Sequence, residues 1–316
     1  MKKVLIALVG LLTLTLAACS QTSTSATTLV TYDGSKNITV YTRDTTSGTR
    51  TGFMEGIGFA EAATSDSVLV TGFLIKDNTA ILNALSIDEY GVGYVSLSSV
   101  NSTVKGLHFN GVAPTEANVI NDTYGLKRPF MWMIRPAGDY PSTTVEQIVQ
   151  AFIAFLATSD GGDIINNAGA IPLPSTQTWD QVKGNHAVCN QNNSGVVLRI
   201  GGSDSIQKVA EALTKAFTPK CGNFSAEHDH TGSSDAYKRT NDPAIKDTSV
   251  GKDIGFSSRF FRGAELTVAA SIRGQLAWDA IVAIVHLNNP VSNVTADDLK
   301  NMYNGTYRTW NALINR

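Results

Sequence analysis

Val40-Tyr41-Thr42-Arg43-Asp44-Thr45-Thr46-Ser47-Gly48-Thr49-Arg50 is the stretch that sets the fold class. Residues 38–42 are β-branched or aromatic and predict a strand. A small polar loop follows Arg43, and a helix is predicted to begin near Thr49 and reach about Ala63. At such a helix start the first N–H groups are unpaired, and the helix dipole adds partial positive charge. Gly48 lets the main chain approach a ligand closely, and the hydroxyls of Ser47 and Thr49 add donors. Arg43 can bind two oxygens of an oxyanion at once. The same pattern also fits a capped helix after a polar turn, so an anion site needs support elsewhere in the chain.

Three more polar turns supply it. Gly201-Gly202-Ser203-Asp204-Ser205 joins a strand ending at Ile200 to a helix opening at Ser205. Thr231-Gly232-Ser233-Ser234-Asp235 is a second Gly/Ser turn, and Ile254-Gly255-Phe256-Ser257-Ser258-Arg259 follows a short strand. Each alone is an ordinary turn. Four hydroxyl-rich turns in one chain point to a buried tetrahedral anion held mainly by neutral donors. Further strands are expected at 92–97, 130–134, 196–200 and 281–286. Thr143 or Thr144 is expected to cap a helix with Val145, Ile148, Val149, Phe152, Ile153 and Leu156 at helical spacing, with Gly161 and Gly162 after its end. Alternating strands and helices predict an α/β architecture with ligands at strand-to-helix turns. Residues 172–194, with Pro172, Pro174, Gly184 and many Asn and Gln, read as a connector.

The N-terminus sets the compartment. Lys2 and Lys3 precede an almost wholly apolar run from Val4 to Leu16, too short for a membrane-spanning helix, so residues 1–18 read as a signal peptide. Leu16-Ala17-Ala18-Cys19 looks like a lipobox, with Cys19 lipid-modified and residues 19–31, rich in Ser and Thr, as a flexible tether. The protein is therefore expected outside the cytoplasm, anchored by lipid to the outer face of the membrane. With 25 Lys and Arg against 27 Asp and Glu, the net charge of −2 excludes a basic nucleic-acid-binding surface. Cys189 and Cys221 are expected to form a disulfide, as an exported pair does. Metal ligation with His186 or the Glu227-His228-Asp229-His230 run matches no standard zinc spacing; that run reads as a solvated polar loop, and no metal or cofactor is expected.

The four turns and the segments between them resemble the phosphate-binding subunit of bacterial phosphate-specific ABC transport systems. Similar stretches include Tyr94-Val95-Ser96-Leu97, Gly111-Val112-Ala113-Pro114-Thr115, Arg128-Pro129-Phe130, 280–285, Asn289-Pro290-Val291-Ser292, Tyr303-Asn304-Gly305 and Thr309-Trp310. The resemblance covers nearly all of the chain after the tether except 172–194. It implies a two-lobed, periplasmic-binding-protein-like (type II) fold with a hinge and an interlobe cleft. It also implies inorganic phosphate as ligand, ABC permease subunits as partners, and a monomer. The order departs from the family: there the turn like 202–205 comes first and the Arg/Ser-Gly-Thr loop lies in the middle. The chain thus reads as circularly permuted, with 172–194 joining the usual end to the usual start. One lobe is expected at 126–290; the other combines 31–125 with 291–316.

Carried over residue by residue, the resemblance implies phosphate contacts from Arg43, Ser47, Gly48 and Thr49 on one lobe and from Ser205, Ser233 and Ser258 on the other. Some family members have an aspartate at the Ser258 position that accepts the proton of hydrogen phosphate; this chain has serine. Asp279, placed in the expected contact set, or Asp204 or Asp235 could supply an acceptor. No Gly-x-Ser-x-Gly elbow, P-loop or nucleophile–base pattern is present, so a binding protein is expected and not an enzyme. The alternatives are a binding protein for another oxyanion (sulfate, molybdate or phosphonate) and a surface sensor or adhesin on the same scaffold.

Overall fold

One strand of 13 residues, Arg273–Val285, ties the molecule together. The structure, a computed structural model, describes residues 32–315. The expected signal peptide, Cys19 and the tether lie outside the described residues. In chain order the strands are β1 (Thr39–Thr42), β2 (Leu74–Ile75), β3 (Gly91–Ser96), β4 (Lys105–Gly106), β5 (His108–Phe109) and β6 (Lys127–Ile134). Then come β7 (Ile171–Pro172), β8 (Val197–Gly202), β9 (Ser225–His230), β10 (Ile254–Ser257), β11 (Arg273–Val285) and β12 (Asn293–Val294). The main sheet runs β2-β1-β3-β11-β6-β10-β8-β9, with β4 and β7 also paired to β11. The first half of β11 lies antiparallel to β6, from Arg273 opposite Met133 to Ala280 opposite Lys127. Its second half lies antiparallel to β3, from Ile281 opposite Ser96 to Val285 opposite Val92. The strand changes neighbours between Ala280 and Ile281.

The hydrophobic cores follow that change. Val40, Val92, Tyr94, Ala283 and Val285 face one core, joined by Phe53, Leu126, Leu299 and Trp310. Tyr41, Val95, Val282 and Ile284 face the opposite side, against Ile81, Leu82 and Leu85. The alternation is the period of two expected of strands covered on both faces. A separate cluster contains Phe130, Phe152, Phe155, Leu198, Ile200, Leu213, Phe217 and Phe256, all drawn from 130–277. All five expected strands are present, as β1, β3, β6, β8 and β11.

Several local expectations are corrected. The helix Thr143–Leu156 is capped by Ser142, whose hydroxyl accepts from Val145 N–H, and not by Thr143 or Thr144. Gly161 and Gly162 lie past its end as expected, but inside a second helix, Ser159–Asn167, capped by Thr158. Glycine is needed at 161 because a Cβ there would come within 2.4 Å of the Phe155 carbonyl. Residues 172–194 are not a bare connector. They carry the short helix Trp179–Val182 with a capping box, and two 3₁₀ turns. Trp179 and Val188 from this segment are buried in the second core. Glu227-His228-Asp229-His230 forms part of strand β9, not a polar loop. Ile254–Ser257 is itself a strand, with Ser258 just past its end.

Cys189 and Cys221 form a disulfide that closes a 32-residue separation beside the second core. Loop closure of that size restricts the unfolded chain by about 3–4 kcal/mol. Among the described residues, no single helix is long and apolar enough to cross a membrane.

Candidate functional site

Strand β1 ends at Thr42 and delivers Arg43 into the interior, where its side chain is 1% exposed. The backbone there is held on both sides. Arg43 N–H donates to the Tyr94 hydroxyl (3.3 Å), and Arg43 C=O accepts from Arg50 Nη1 (2.9 Å). Arg50, fully buried, also donates to Ala62 C=O, Ser65 C=O and Asp66, so it fixes the loop. Ser47 caps the helix Gly48–Gly56, its hydroxyl accepting from Arg50 N–H. The first turn of that helix holds no acidic residue to neutralise its positive end. The expected helix to Ala63 is therefore two pieces, Gly48–Gly56 and a 3₁₀ turn at Ala60–Ala63.

The start of this helix meets the other turns. Thr49 Oγ1 lies 2.6 Å from Ser205 Oγ. Ser258 Oγ lies 2.9 Å from Ser203 Oγ and 3.1 Å from Ser233 Oγ, and Ser258 N–H donates to Ser233 Oγ (2.9 Å). Gly48 is pressed against the same pair: a Cβ there would sit 2.1 Å from Ser233 Oγ and 2.7 Å from Ser258 Oγ. Ser47, Thr49, Ser203, Ser205, Ser233 and Ser258 are all buried. All the residues expected from the four turns thus converge at one helix N-terminus.

Two guanidiniums complete the ring. Arg43 Nη2 donates to Asp204 Oδ2 (2.5 Å), and Asn78 N–H reaches the same oxygen (3.4 Å). Arg128, on β6, was not among the expected contacts. Its Nη1 donates to Thr49 Oγ1 (2.7 Å) and Ser258 Oγ (3.3 Å). Its Nε donates to Asp279 Oδ2 (2.9 Å), and its Nη2 is 2.8 Å from that oxygen, near enough for an ion pair but without hydrogen-bond geometry. The signal for Arg128 in the sequence was a cation next to the apolar run Pro129-Phe130-Met131-Trp132 of a strand, where a buried charge is costly unless paired.

Asp279 is fully buried and sits against Arg128 and Ser96, whose hydroxyl donates to Oδ2 (2.7 Å). Burial raises its pKa, while the Arg128 charge and the Ser96 bond oppose the rise. Burial likewise lowers that of Arg128, with Asp279 opposing. Asp235 sits apart from this ring, bonded to Thr231 and paired with Arg239.

Among the described residues, six buried side-chain N or O atoms lack a hydrogen-bond partner, and five belong to this site: Arg43 Nε and Nη1, Arg128 Nη2, Asp204 Oδ1 and Asp279 Oδ1. Buried polar atoms are normally satisfied, so this concentration marks where a polar ligand would complete the bonding. The donors are those of an oxyanion site, and among the described residues no group of three or more His, Cys, Asp or Glu could hold a metal ion.

Comparison with known proteins follows the same line. A model described as a PBP superfamily domain matches residues 175–315. The chain is 27% identical over 310 residues to "Phosphate-binding protein PstS 2" of Streptococcus agalactiae, covering 94% of this chain and 92% of that protein. It is 26% identical over 320 residues to the protein of the same name from Streptococcus pneumoniae serotype 4, covering 99% and 98%. The crystal structure of a phosphate ABC transporter phosphate-binding protein from S. pneumoniae TIGR4 superposes with a TM-score of 0.61 at 23% identity, covering 88% of this chain and 99% of that one.

Proposed function

We propose that this chain, a member of the periplasmic-binding-protein superfamily, captures inorganic phosphate outside the cytoplasm and delivers it to an ABC importer. The observation that carries the reading is the clustering of unpaired buried donors on Arg43 and Arg128 around a ring of hydroxyls at the Gly48–Gly56 helix start. Each guanidinium already faces a carboxylate, so the two cations are balanced by Asp204 and Asp279. The charge of a bound anion then falls on hydroxyls, backbone N–H groups and the helix dipole, which accept it without a net opposite charge. Phosphate contacts are assigned to Arg43, Gly48, Thr49, Ser205, Ser233 and Ser258, with Arg128 added. Ser47 acts as the cap that aims the helix start. Asp279 orients Arg128.

Capture requires movement. The hydroxyls bond one another across the ring, so an anion must take over those bonds as the walls part. We take the walls to be the two expected lobes, 31–125 with 291–316 and 126–290, with their boundary moved to Ala280/Ile281. Ile281–Val285 pair with β3 and pack into its cores, so the hinge lies there, where β11 changes neighbours. Rotation about such a crossing gives ligand-dependent closing and opening, and handover to a permease at the open stage. The proposed permuted order is supported by the closeness of segments 34–38 and 308–311. Ile38 N–H bonds Arg308 C=O (2.8 Å) and Asn311 N–H bonds Gly34 C=O (2.9 Å). The streptococcal relatives align over nearly their whole lengths, so they share this order. A signal peptide at 1–18, a lipid on Cys19 and a monomeric state complete the proposal.

Isothermal titration with potassium phosphate tests the assignment. Saturable single-site binding is expected, weakened about 100-fold in Arg43→Ala, the loss typical when one partner of a buried charged contact is removed. A wild-type protein that takes up no phosphate contradicts it.

A further inference from the structure

We infer that His230 positions the Ser203–Ser205 turn of the anion ring, its Nδ1–H holding the Ser203 carbonyl at the end of a hydrogen-bonded relay that begins at Thr214. The inference rests on the phosphate reading above and adds to it a residue that acts through the turn rather than on the ligand. It also gives a task to the Glu227-His228-Asp229-His230 run, which the anion ring leaves unused.

The turn is pinned at its backbone atoms. Gly202 C=O accepts from Thr231 N–H (2.7 Å), and Ser203 N–H donates to Phe256 C=O (2.7 Å). Ser203 C=O accepts from Ile206 N–H (3.2 Å) within the turn and faces His230 Nδ1 at 3.1 Å. Of these four bonds only the last is made by a side chain, so only it depends on the identity of one residue. The same short turn carries Ser203 Oγ to Ser258 and Ser205 Oγ to Thr49. A shift of the Ser203 carbonyl therefore moves two ring hydroxyls at once.

Strand β9 places His228 and His230 on one face, two residues apart, and all four of their ring nitrogens are engaged. A carbonyl only accepts, so His230 Nδ1 carries the proton and its Nε2 is the acceptor for His228 Nδ1–H (3.1 Å). His228 Nε2 then accepts from the hydroxyl of Thr214 (3.0 Å), a buried residue of the helix Gln207–Phe217. The relay runs one way, from that helix to the ring, and needs both imidazoles neutral. Burial holds them so: it lowers the pKa of each ring, with His228 adding to the effect on His230, against the opposing pull of Glu211 on both and of Asp204 on His230.

The test is calorimetric titration of the wild type, His230→Ala and His230→Asn with potassium phosphate at neutral pH, with circular dichroism to confirm folding. An asparagine amide can place an N–H where Nδ1–H stands; alanine cannot. His230→Ala is expected to weaken phosphate about three- to tenfold, the effect of one lost hydrogen bond, and His230→Asn to recover most of that loss. A folded His230→Ala with wild-type affinity overturns the inference while phosphate capture stands. His230→Asn as weak as His230→Ala also overturns it, because packing of the ring and not its N–H would then be responsible. Nitrogen-15 spectra of the wild-type imidazoles need no variant to fold: a protonated Nδ1 and a bare Nε2 are expected on His230, and the reverse tautomer overturns the inference. A wild type that takes up no phosphate overturns both the inference and the reading beneath it.

Discussion

Gly48 carries a tight steric requirement at the site. A methyl group there would fall 2.1 Å from Ser233 Oγ, so Gly48→Ala must hold the facing turns apart. Overpacking of this kind costs about 1–3 kcal/mol, and here it falls on the closed arrangement. Phosphate affinity should drop about tenfold or more by calorimetry while the thermal midpoint of the free protein changes little; unaltered affinity would mean that the helix start does not close on the ligand. At this scale much was legible in advance. Arg43, Ser47, Thr49, Ser205, Ser233 and Ser258 stand in Gly/Ser turns whose chemistry is local, and the structure brings them together. Arg128 was not identified as a site residue because its role depends on a neighbour far away in sequence, Asp279, which only the β6–β11 pairing supplies. Asp204 was weighed beside Asp279 and Asp235 as an acceptor, but its unpaired Oδ1 was not legible.

Strand β9 shows what element-level patterns conceal. Its Ser-Ala-Glu-His-Asp-His sequence is polar enough to read as a loop, yet it pairs in parallel with β8 along its whole length. His228 and His230 share one face and stack at 5.3 Å. The Ser203 carbonyl can only accept, so the His230 Nδ1 facing it at 3.1 Å carries a proton. Neutral His230 then accepts at Nε2 from His228 Nδ1–H (3.1 Å), and His228 Nε2 faces the Thr214 hydroxyl (3.0 Å). Burial, with His228 beside it, pushes the His230 pKa down from 6.5 to about 4. The unfolded chain therefore takes up a proton that the folded one refuses. This contribution to stability is complete above pH 6.5 and is lost as pH falls toward about 4. Replacing His230 with Gln should flatten that acid-side loss by up to about 3 kcal/mol, read by denaturant unfolding across the window. An unchanged pH profile would show that His230 protonates freely. The glycine pair at 161 and 162 lies past the helix end as expected, yet, although glycine is a poor helix former, it is held in a second helix by the Thr158 cap and by the close packing of Gly161 on the preceding helix.

For the whole molecule, β11 is the element on which the account turns. Its two halves belong to different cores, and Asp279 lies two residues before the change of neighbours. The hinge and the anion site are thus joined through one strand and Arg128. The β-branched and aromatic runs made the strands legible, since burial on both faces leaves a strong local signature. Their order in the sheet was not legible, because pairing partners are distant in sequence; the resemblance implied only a two-lobed, hinged fold. The segment 172–194 was misjudged for a related reason. Its helical turns are stabilised by the burial of Trp179 and Val188 and by the disulfide, none of which propensity alone reveals.

A crystal structure grown in phosphate tests the central claim most directly. The account predicts tetrahedral density within hydrogen-bonding distance of Arg43, Thr49, Ser205, Ser233 and Ser258, with Arg43 Nε and Nη1 paired to its oxygens and the hydroxyl-to-hydroxyl bonds exchanged for bonds to the anion. Density elsewhere, or a ring of serines still bonded only to one another, would contradict it.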